Sequence, residues 1–171
     1  MSDYNRTTRE CTVNQLHPEL RHAIRGYFKE HELGDLDAET LICCETISEK
    51  KDFGGLASLL KGTLDTKIQT GMLLTSEWLI WVRKTDQSAA VLNAANLKEI
   101  EVKTYTTLFT KDSGLEIFGY IANSKGPIRG RIAMGKESAA QKFCEEVENA
   151  VSKLKPPPPL KKNLPKWLGG K

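Results

Sequence analysis

The stretch from Gly71 to Arg83 is a dense apolar run, and it limits the possible folds more than any other part of the chain. It contains two segments rich in β-forming residues, separated by the polar break 75–77. In the second segment, one strand face would carry Trp78, Ile80 and Val82, and the other Leu79, Trp81 and Arg83. Because apolar residues occupy both faces, we expect this hairpin to lie in the middle of a mostly antiparallel sheet that is covered on both sides.

The length and composition are those of a soluble globular protein. The chain has 171 residues, of which 39% are hydrophobic and 27% charged, which is enough for one domain with appendages. The N-terminus is polar and lacks the apolar segment of a signal peptide. No apolar run approaches the roughly 20 residues that a membrane helix needs. These features predict a cytoplasmic location.

Charge is distributed unevenly along the chain. The formal net charge is +3, with −4 on residues 1–52, +3 on residues 53–155 and +4 on residues 156–171. A basic tail on a nearly balanced body favours a local contact with an anionic surface over a nucleic-acid-binding domain. We therefore predict no nucleic-acid partner.

The cysteines and histidines do not have the spacing of a metal site. The four cysteines are Cys11, Cys43, Cys44 and Cys144, and in the cytoplasm we expect them to be reduced. Adjacent residues on a strand face opposite ways, so the pair 43–44 predicts one buried and one half-exposed thiol. The paired spacings of zinc sites are absent, and we predict neither a metal nor a cofactor.

Helical periodicity appears near both ends of the chain. Residues 1–15 are polar and are predicted to be loosely held. Apolar residues then recur at helical spacing over 18–31, and again over 136–154. A glycine break predicts a short helix within 53–60, and the prolines at 156–159 end the last helix.

Between the two long helices, the chain favours strands. The predicted strands cover 39–47, 67–74, 77–84, 88–93, 97–105, 115–122 and 127–134. About seven strands followed by one amphipathic helix predict a mainly β fold of the α+β type. The C-terminal helix would close the open end of a curled antiparallel sheet.

Two motifs resemble bacterial pleckstrin-homology-like (PH-like) domains. The segment 71–75 leading to 78–82 resembles the family's "L-x-T-x-x-R-L-I" hairpin, with Trp78 where the family often has Arg. The segment 96–102 resembles its "L-x-x-I-x-x-V" strand, and the terminal helix is in the expected place. The resemblance covers about 39–154 and implies a PH-like curled antiparallel sheet capped by a C-terminal helix. An N-terminal extension with an amphipathic helix (1–35) and a proline-led basic tail (156–171) would flank a PH-like domain (36–155).

Catalytic motifs are weak. The segment 130–136 matches G-x-x-x-x-G-K, but Glu137 follows where magnesium coordination calls for Ser or Thr. Its intervening residues favour the end of a strand, and no G-x-S-x-G elbow is present. The histidines at 17, 22 and 31 all lie in or beside the N-terminal helix. We therefore predict that the protein is not an enzyme.

The resemblance implies a binding or scaffolding module for inositol lipids, peptides or other proteins. Lipid-binding members use clustered basic residues on the loop between their first two strands. In this chain the corresponding loop offers the candidates Lys50, Lys51 and Lys61. Two more candidates, Arg83 and Lys84, lie at the end of the predicted third strand. Because acidic residues lie among them, we predict a protein or peptide partner.

The tail offers an alternative function. After four prolines, lysines interleave with apolar residues, and the candidates are the basic Lys161, Lys162 and Lys166 and the aromatic Trp167. This composition suits peripheral attachment to an anionic membrane, to which each lysine contributes on the order of 1 kcal/mol. The tail also fits a proline-rich ligand for an aromatic groove, and disorder or folding back onto the domain are further alternatives.

Overall fold

A computed structural model describes residues 4–51, 66–107, 113–122 and 124–155. The short helix predicted within 53–60 and the whole tail at 156–171 lie outside these residues. None of the helices that it describes is both long and apolar enough to cross a membrane.

The described residues form three α-helices and eight strands. The helices are α1 (Pro18–Glu30), α2 (Leu36–Glu39) and α3 (Ser138–Leu154). The strands are β1 (Tyr4–Glu10), β2 (Ile42–Lys50), β3 (Lys67–Leu74), β4 (Trp78–Thr85), β5 (Val91–Asn96), β6 (Ile100–Thr106), β7 (Ser113–Gly119) and β8 (Ile128–Met134). Short 3-10 turns at Val13–Gln15 and Leu97–Glu99 precede α1 and β6.

The strands form two antiparallel sheets. Strands β1 to β5 lie in chain order in a five-stranded sheet, and β6 to β8 form a three-stranded sheet. The mainly β class with a C-terminal helix is confirmed. The strands are divided between two sheets, however, and neither sheet is strongly curled.

The N-terminal strand β1 corrects one prediction. Residues 4–10 were predicted to be loosely held, but they pair with β2 along their whole length, from Tyr4 opposite Lys50 to Glu10 opposite Cys44. Only Thr8 of this strand is buried, so the segment carries no apolar alternation for a sequence pattern to detect. The predicted boundaries of the PH-like domain, after residue 35 and at residue 155, stay a prediction.

The five-stranded sheet is covered on both faces, as the run at 71–83 predicted. Helix α1 packs against the face that carries Ile80 and Val82. The three-stranded sheet and α3 pack against the opposite face, which carries Leu79 and Trp81. The described residues therefore form two hydrophobic cores, one on each side of the same sheet.

The same covering decides the environment of Cys43 and Cys44. Their side chains face opposite ways, as predicted, and each enters a different core. Both are nevertheless buried, with 2% and 0% exposure. The predicted half-exposed thiol was wrong, because α1 covers the face that an uncovered sheet would have left open.

A set of hydrogen bonds around Thr8 connects β1 to the start of α3. The Thr8 N–H donates to Glu137 Oε2 over 3.0 Å, and the Gly135 N–H donates to Thr8 Oγ1 over 2.8 Å. The Thr8 and Thr46 hydroxyls lie 2.8 Å apart. These bonds hold β1 close to the end of β8 and so bring its side chains near the three-stranded sheet.

Candidate functional site

A cleft of about 420 Å³ lies between the five-stranded sheet and β8; we call it the inter-sheet cleft. Its charged lining residues are Arg6 from β1, Arg83 from β4 and Arg131 from β8. Neutral polar and aromatic side chains complete much of the wall: Tyr4, Ser48, Thr70, Trp81 and Asn93. Along the part of the chain that the structure describes, no aspartate or glutamate lines this cleft.

Strand register explains why two of the arginines share a face. Arg6 lies opposite Ser48, two residues before Thr8. Arg83 lies opposite Thr70, which is in line with Thr8 across the intervening strands. Because side chains at even spacing along a strand point to the same face, Arg6 and Arg83 both project towards the three-stranded sheet.

Aromatic rings lie beside the guanidinium groups. The Arg6 Cζ atom is 5.6 Å from the centre of the Tyr4 ring, within the range of a cation–π contact. Trp81, which is only 8% exposed, contributes to the cleft wall from the same strand as Arg83. The cleft therefore presents cationic and flat apolar surfaces next to each other.

Arg131 forms an ion pair with Glu116 of the neighbouring strand β7. Its Nε and Nη2 atoms donate to Glu116 Oε1 over 3.0 and 2.9 Å, and its Cζ lies 5.2 Å from the Tyr105 ring centre. The hydrogen bond from Arg131 holds the pKa of the Glu116 carboxyl below its usual value. Glu116 therefore partly offsets the charge that Arg131 brings to the cleft.

The basic residues predicted as a cluster do not all come together. Arg83 lines the inter-sheet cleft, whereas Lys84 points to the other face of the sheet and forms an ion pair with Glu19 of α1. Lys50 ends β2 opposite Tyr4, and Lys51 follows it. The remaining candidates lie outside the described residues: Lys61, Lys161, Lys162, Lys166 and Trp167.

Tyr4 and Arg6 were not among the site residues predicted from the sequence. Both belong to the segment that was predicted to be loosely held, so neither was considered for a site. The available signal was the mixture of Tyr4 with the β-branched pair Thr7 and Thr8, which favours a strand. Pairing with β2, some 40 residues further along the chain, is what brings Arg6 into the cleft.

A second groove of about 470 Å³ lies between the edge of β6 and α3. Its floor includes Met134, Ala140 and Cys144. The outward N–H of Thr104 and its hydroxyl both donate to Glu148 Oε1, each over 2.7 Å. Because a side chain already occupies this position of the edge strand, the groove is less suited than the inter-sheet cleft to receive a ligand.

Comparisons with known proteins identify no family for this chain. Protein-family models, curated proteins and solved structures give no match to the chain. Within the described ranges, no group of three or more His, Cys, Asp or Glu side chains is placed to hold a metal ion. The PH-like resemblance stays a prediction, and the arginines of the cleft are the feature from which a function can be argued.

Proposed function

We propose that the protein is a non-catalytic binding module with a PH-like fold, and that it contacts a protein or peptide partner. The inter-sheet cleft receives acidic side chains of that partner. The observation that carries this proposal is the cleft lining, which has three arginines and, within the described residues, no carboxylate. An anionic group entering the cleft gains favourable electrostatic interactions with these guanidinium groups.

The order of elements supports the PH-like part of the proposal. Two packed antiparallel sheets are followed by one amphipathic helix that closes the larger core. Helix α1 is an addition on the outer face of the first sheet, where it leaves the inter-sheet cleft uncovered.

The chemistry of the lining favours carboxylates on a peptide. A guanidinium group presents a planar fork of N–H donors that matches a carboxylate. The neutral side chains Ser48, Thr70 and Asn93 add donors and acceptors for peptide groups. The rings of Tyr4 and Trp81 offer apolar contact to the stems of aspartate and glutamate side chains.

The test is binding of a fluorescent glutamate-rich peptide to the full chain, measured by anisotropy, with the glutamine version of the peptide as the first control. Arg83→Gln and Arg6→Gln are each expected to weaken binding about tenfold, which corresponds to about 1.4 kcal/mol. Arg129→Gln is the matched control, because it removes the same charge from a side chain that is 70% exposed and does not line the cleft. It should change the affinity less than about twofold, because an exposed charge away from the cleft contributes little.

Equal losses in Arg83→Gln and Arg129→Gln would contradict the cleft as the binding site.

The membrane alternative is tested with the same full chain and vesicles of anionic or neutral lipid. Flotation with anionic vesicles that is lost when Lys161, Lys162 and Lys166 are changed to Gln, but is unaffected by Arg83→Gln, would replace the peptide proposal with tail-mediated membrane attachment.

A further inference from the structure

Two cysteines face each other where the pairing of β1 with β2 continues beyond β1. The last pair within the ladder joins Glu10 and Cys44, and the next pair in the same register is Cys11 with Cys43. The Cys11 N–H donates to the Cys43 carbonyl oxygen over 3.0 Å, so the two backbones remain in contact there. Directly opposed residues in an antiparallel ladder have Cα atoms roughly 4.5–5.5 Å apart, which is within the span of a disulfide of about 4.4–6.8 Å.

The two thiols differ in access to solvent. Cys11 is half-buried at the edge of the core under α1, whereas Cys43 is a buried member of that core. Cys44 and Cys144 belong to the other core, on the opposite side of the sheet. Burial raises the pKa of Cys44 to about 12 and that of Cys144 to about 11, so both stay protonated as well as inaccessible.

Cys11 also has the surroundings of a reactive thiol. A hydrogen bond from the Cys43 thiol lowers the pKa of Cys11. The positive charge of Arg9 acts in the same direction, and together they outweigh the opposing effects of partial burial and of the carboxylates of Glu45 and Glu10. The same hydrogen bond, with burial, raises the pKa of Cys43. Since the thiolate is the nucleophilic form, Cys11 is the thiol of this pair that an oxidant meets first.

We propose that Cys11 and Cys43 are a peroxide-reactive pair that closes to an intramolecular disulfide. The Cys11 thiolate attacks one oxygen of hydrogen peroxide; the S–O bond forms, the O–O bond breaks, and the hydroxide that leaves takes up a proton to become water. The Cys43 sulfur then attacks the Cys11 sulfur; the S–S bond forms, the S–O bond breaks, and the second water leaves with the Cys43 proton. Two thiols are oxidised by two electrons in total, and one peroxide is reduced to two waters.

The disulfide has a defined structural effect. It joins the residue directly after β1 to the second residue of β2, and it closes a loop that contains the whole of α1. Such a closure restricts the unfolded chain, so the oxidised protein is expected to melt at a higher temperature than the reduced protein.

The test is a titration of the full reduced chain with hydrogen peroxide. Free thiols are counted after denaturation, and linked peptides are mapped by mass spectrometry. The wild type should lose two thiols per chain, yield one Cys11–Cys43 peptide pair and recover both thiols with dithiothreitol. Cys11→Ser should lose the linkage and the rise in melting temperature, and because Cys11 is half-buried this variant is expected to fold.

A second variant checks the order of the two steps. In Cys43→Ala, Cys11 should stop at the sulfenic acid and be captured by dimedone, whereas Cys144→Ala should form the same disulfide as the wild type. A disulfide between two chains, a linkage through Cys44 or Cys144, or retention of four thiols under peroxide would each overturn the proposal.

Discussion

Glu45 shows how one buried carboxylate organises three elements. The residue is only 3% exposed, on the face of β2 that α1 covers. Its Oε2 atom accepts hydrogen bonds from Arg9 Nε over 3.1 Å and from Arg9 Nη2 over 2.6 Å. Its Oε1 atom accepts from the His17 N–H over 3.1 Å, at the residue before α1 begins. A buried charge is tolerated when its hydrogen bonds are satisfied in this way.

Replacement of this carboxylate should therefore destabilise the protein. We expect Glu45→Gln to lower the free energy of unfolding by roughly 1–3 kcal/mol, because an amide cannot neutralise Arg9 while it also accepts from His17. Glu49→Gln is the matched control: its side chain is 65% exposed and lies 3.7 Å from Lys67 Nζ. That change should cost less than about 0.5 kcal/mol. Urea unfolding measures both, and similar midpoints for the two variants would disprove the role of Glu45.

At the scale of elements, the close pairing of β7 with β8 depends on Gly114. Its φ angle is +147°, a backbone conformation that L side chains rarely adopt. A Cβ atom at this position would lie 2.0 Å from the Ile132 carbonyl oxygen, and backbone cannot give way as a flexible side chain does. The strand pairing therefore excludes any residue larger than glycine at this point.

Gly114→Ala should weaken the three-stranded sheet. The strained conformation alone costs on the order of 1–3 kcal/mol, and the contact with Ile132 adds to it. Gly126→Ala is the control, because a Cβ atom there has nothing within 4 Å. Thermal unfolding should show a clear loss for the first variant and little change for the second. Equal melting temperatures would show that β7 and β8 shift apart without cost.

The elements with strong apolar periodicity could be predicted from the sequence. The prediction for β3 at 67–74 matches the observed bounds, and the predictions for 18–31 and 136–154 each fall within two residues of a helix. Strand β1 could not be predicted this way, because its stability comes from pairing with β2 and from the bonds of Thr8. The division of the strands between two sheets also depends on long-range pairing, which local patterns do not encode.

The candidate site likewise contains a residue that a local sequence pattern reveals and one that only long-range strand pairing places. Arg83 was found because it ends an apolar strand, but its neighbour Lys84 was placed with it although adjacent residues on a strand face opposite ways. Arg6 requires the register of β1 against β2. Arg83 could therefore be predicted from the sequence, whereas Arg6 required the tertiary structure.

At the scale of the whole molecule, a single sheet shared by two cores makes stability depend on groups far apart in sequence. Cys144 on α3 is buried in the larger core, near Met134 at the end of β8. Burial raises its pKa to about 11, compared with roughly 8.5 for a thiol in an unfolded chain. Below pH 8.5 the thiol is protonated in both states, and its contribution to stability is fully present.

Stability should therefore fall as the pH rises from about 8.5 to about 11, since the unfolded chain releases this proton first. The slope from one such group is at most about 1.4 kcal/mol per pH unit. Cys144→Ala should show a shallower alkaline decline than the wild type. Val147→Ala, which weakens the same core without removing a thiol, should keep the wild-type slope. Parallel declines for all three proteins, measured by urea unfolding across this pH range, would exclude the Cys144 thiol as a contributor.

The bonds around Thr8 also have a consequence for biosynthesis. Thr8 and Glu137 are 129 positions apart, and Thr8 and Gly135 are 127 apart. A nascent chain on the ribosome therefore exposes the first strand long before the partners that hold it to the second sheet have been translated. During that interval the strand has an unpaired edge, which is the kind of surface that recruits chaperones or a neighbouring chain. The docking of β1 onto the second sheet therefore waits for the synthesis of β8 and the start of α3.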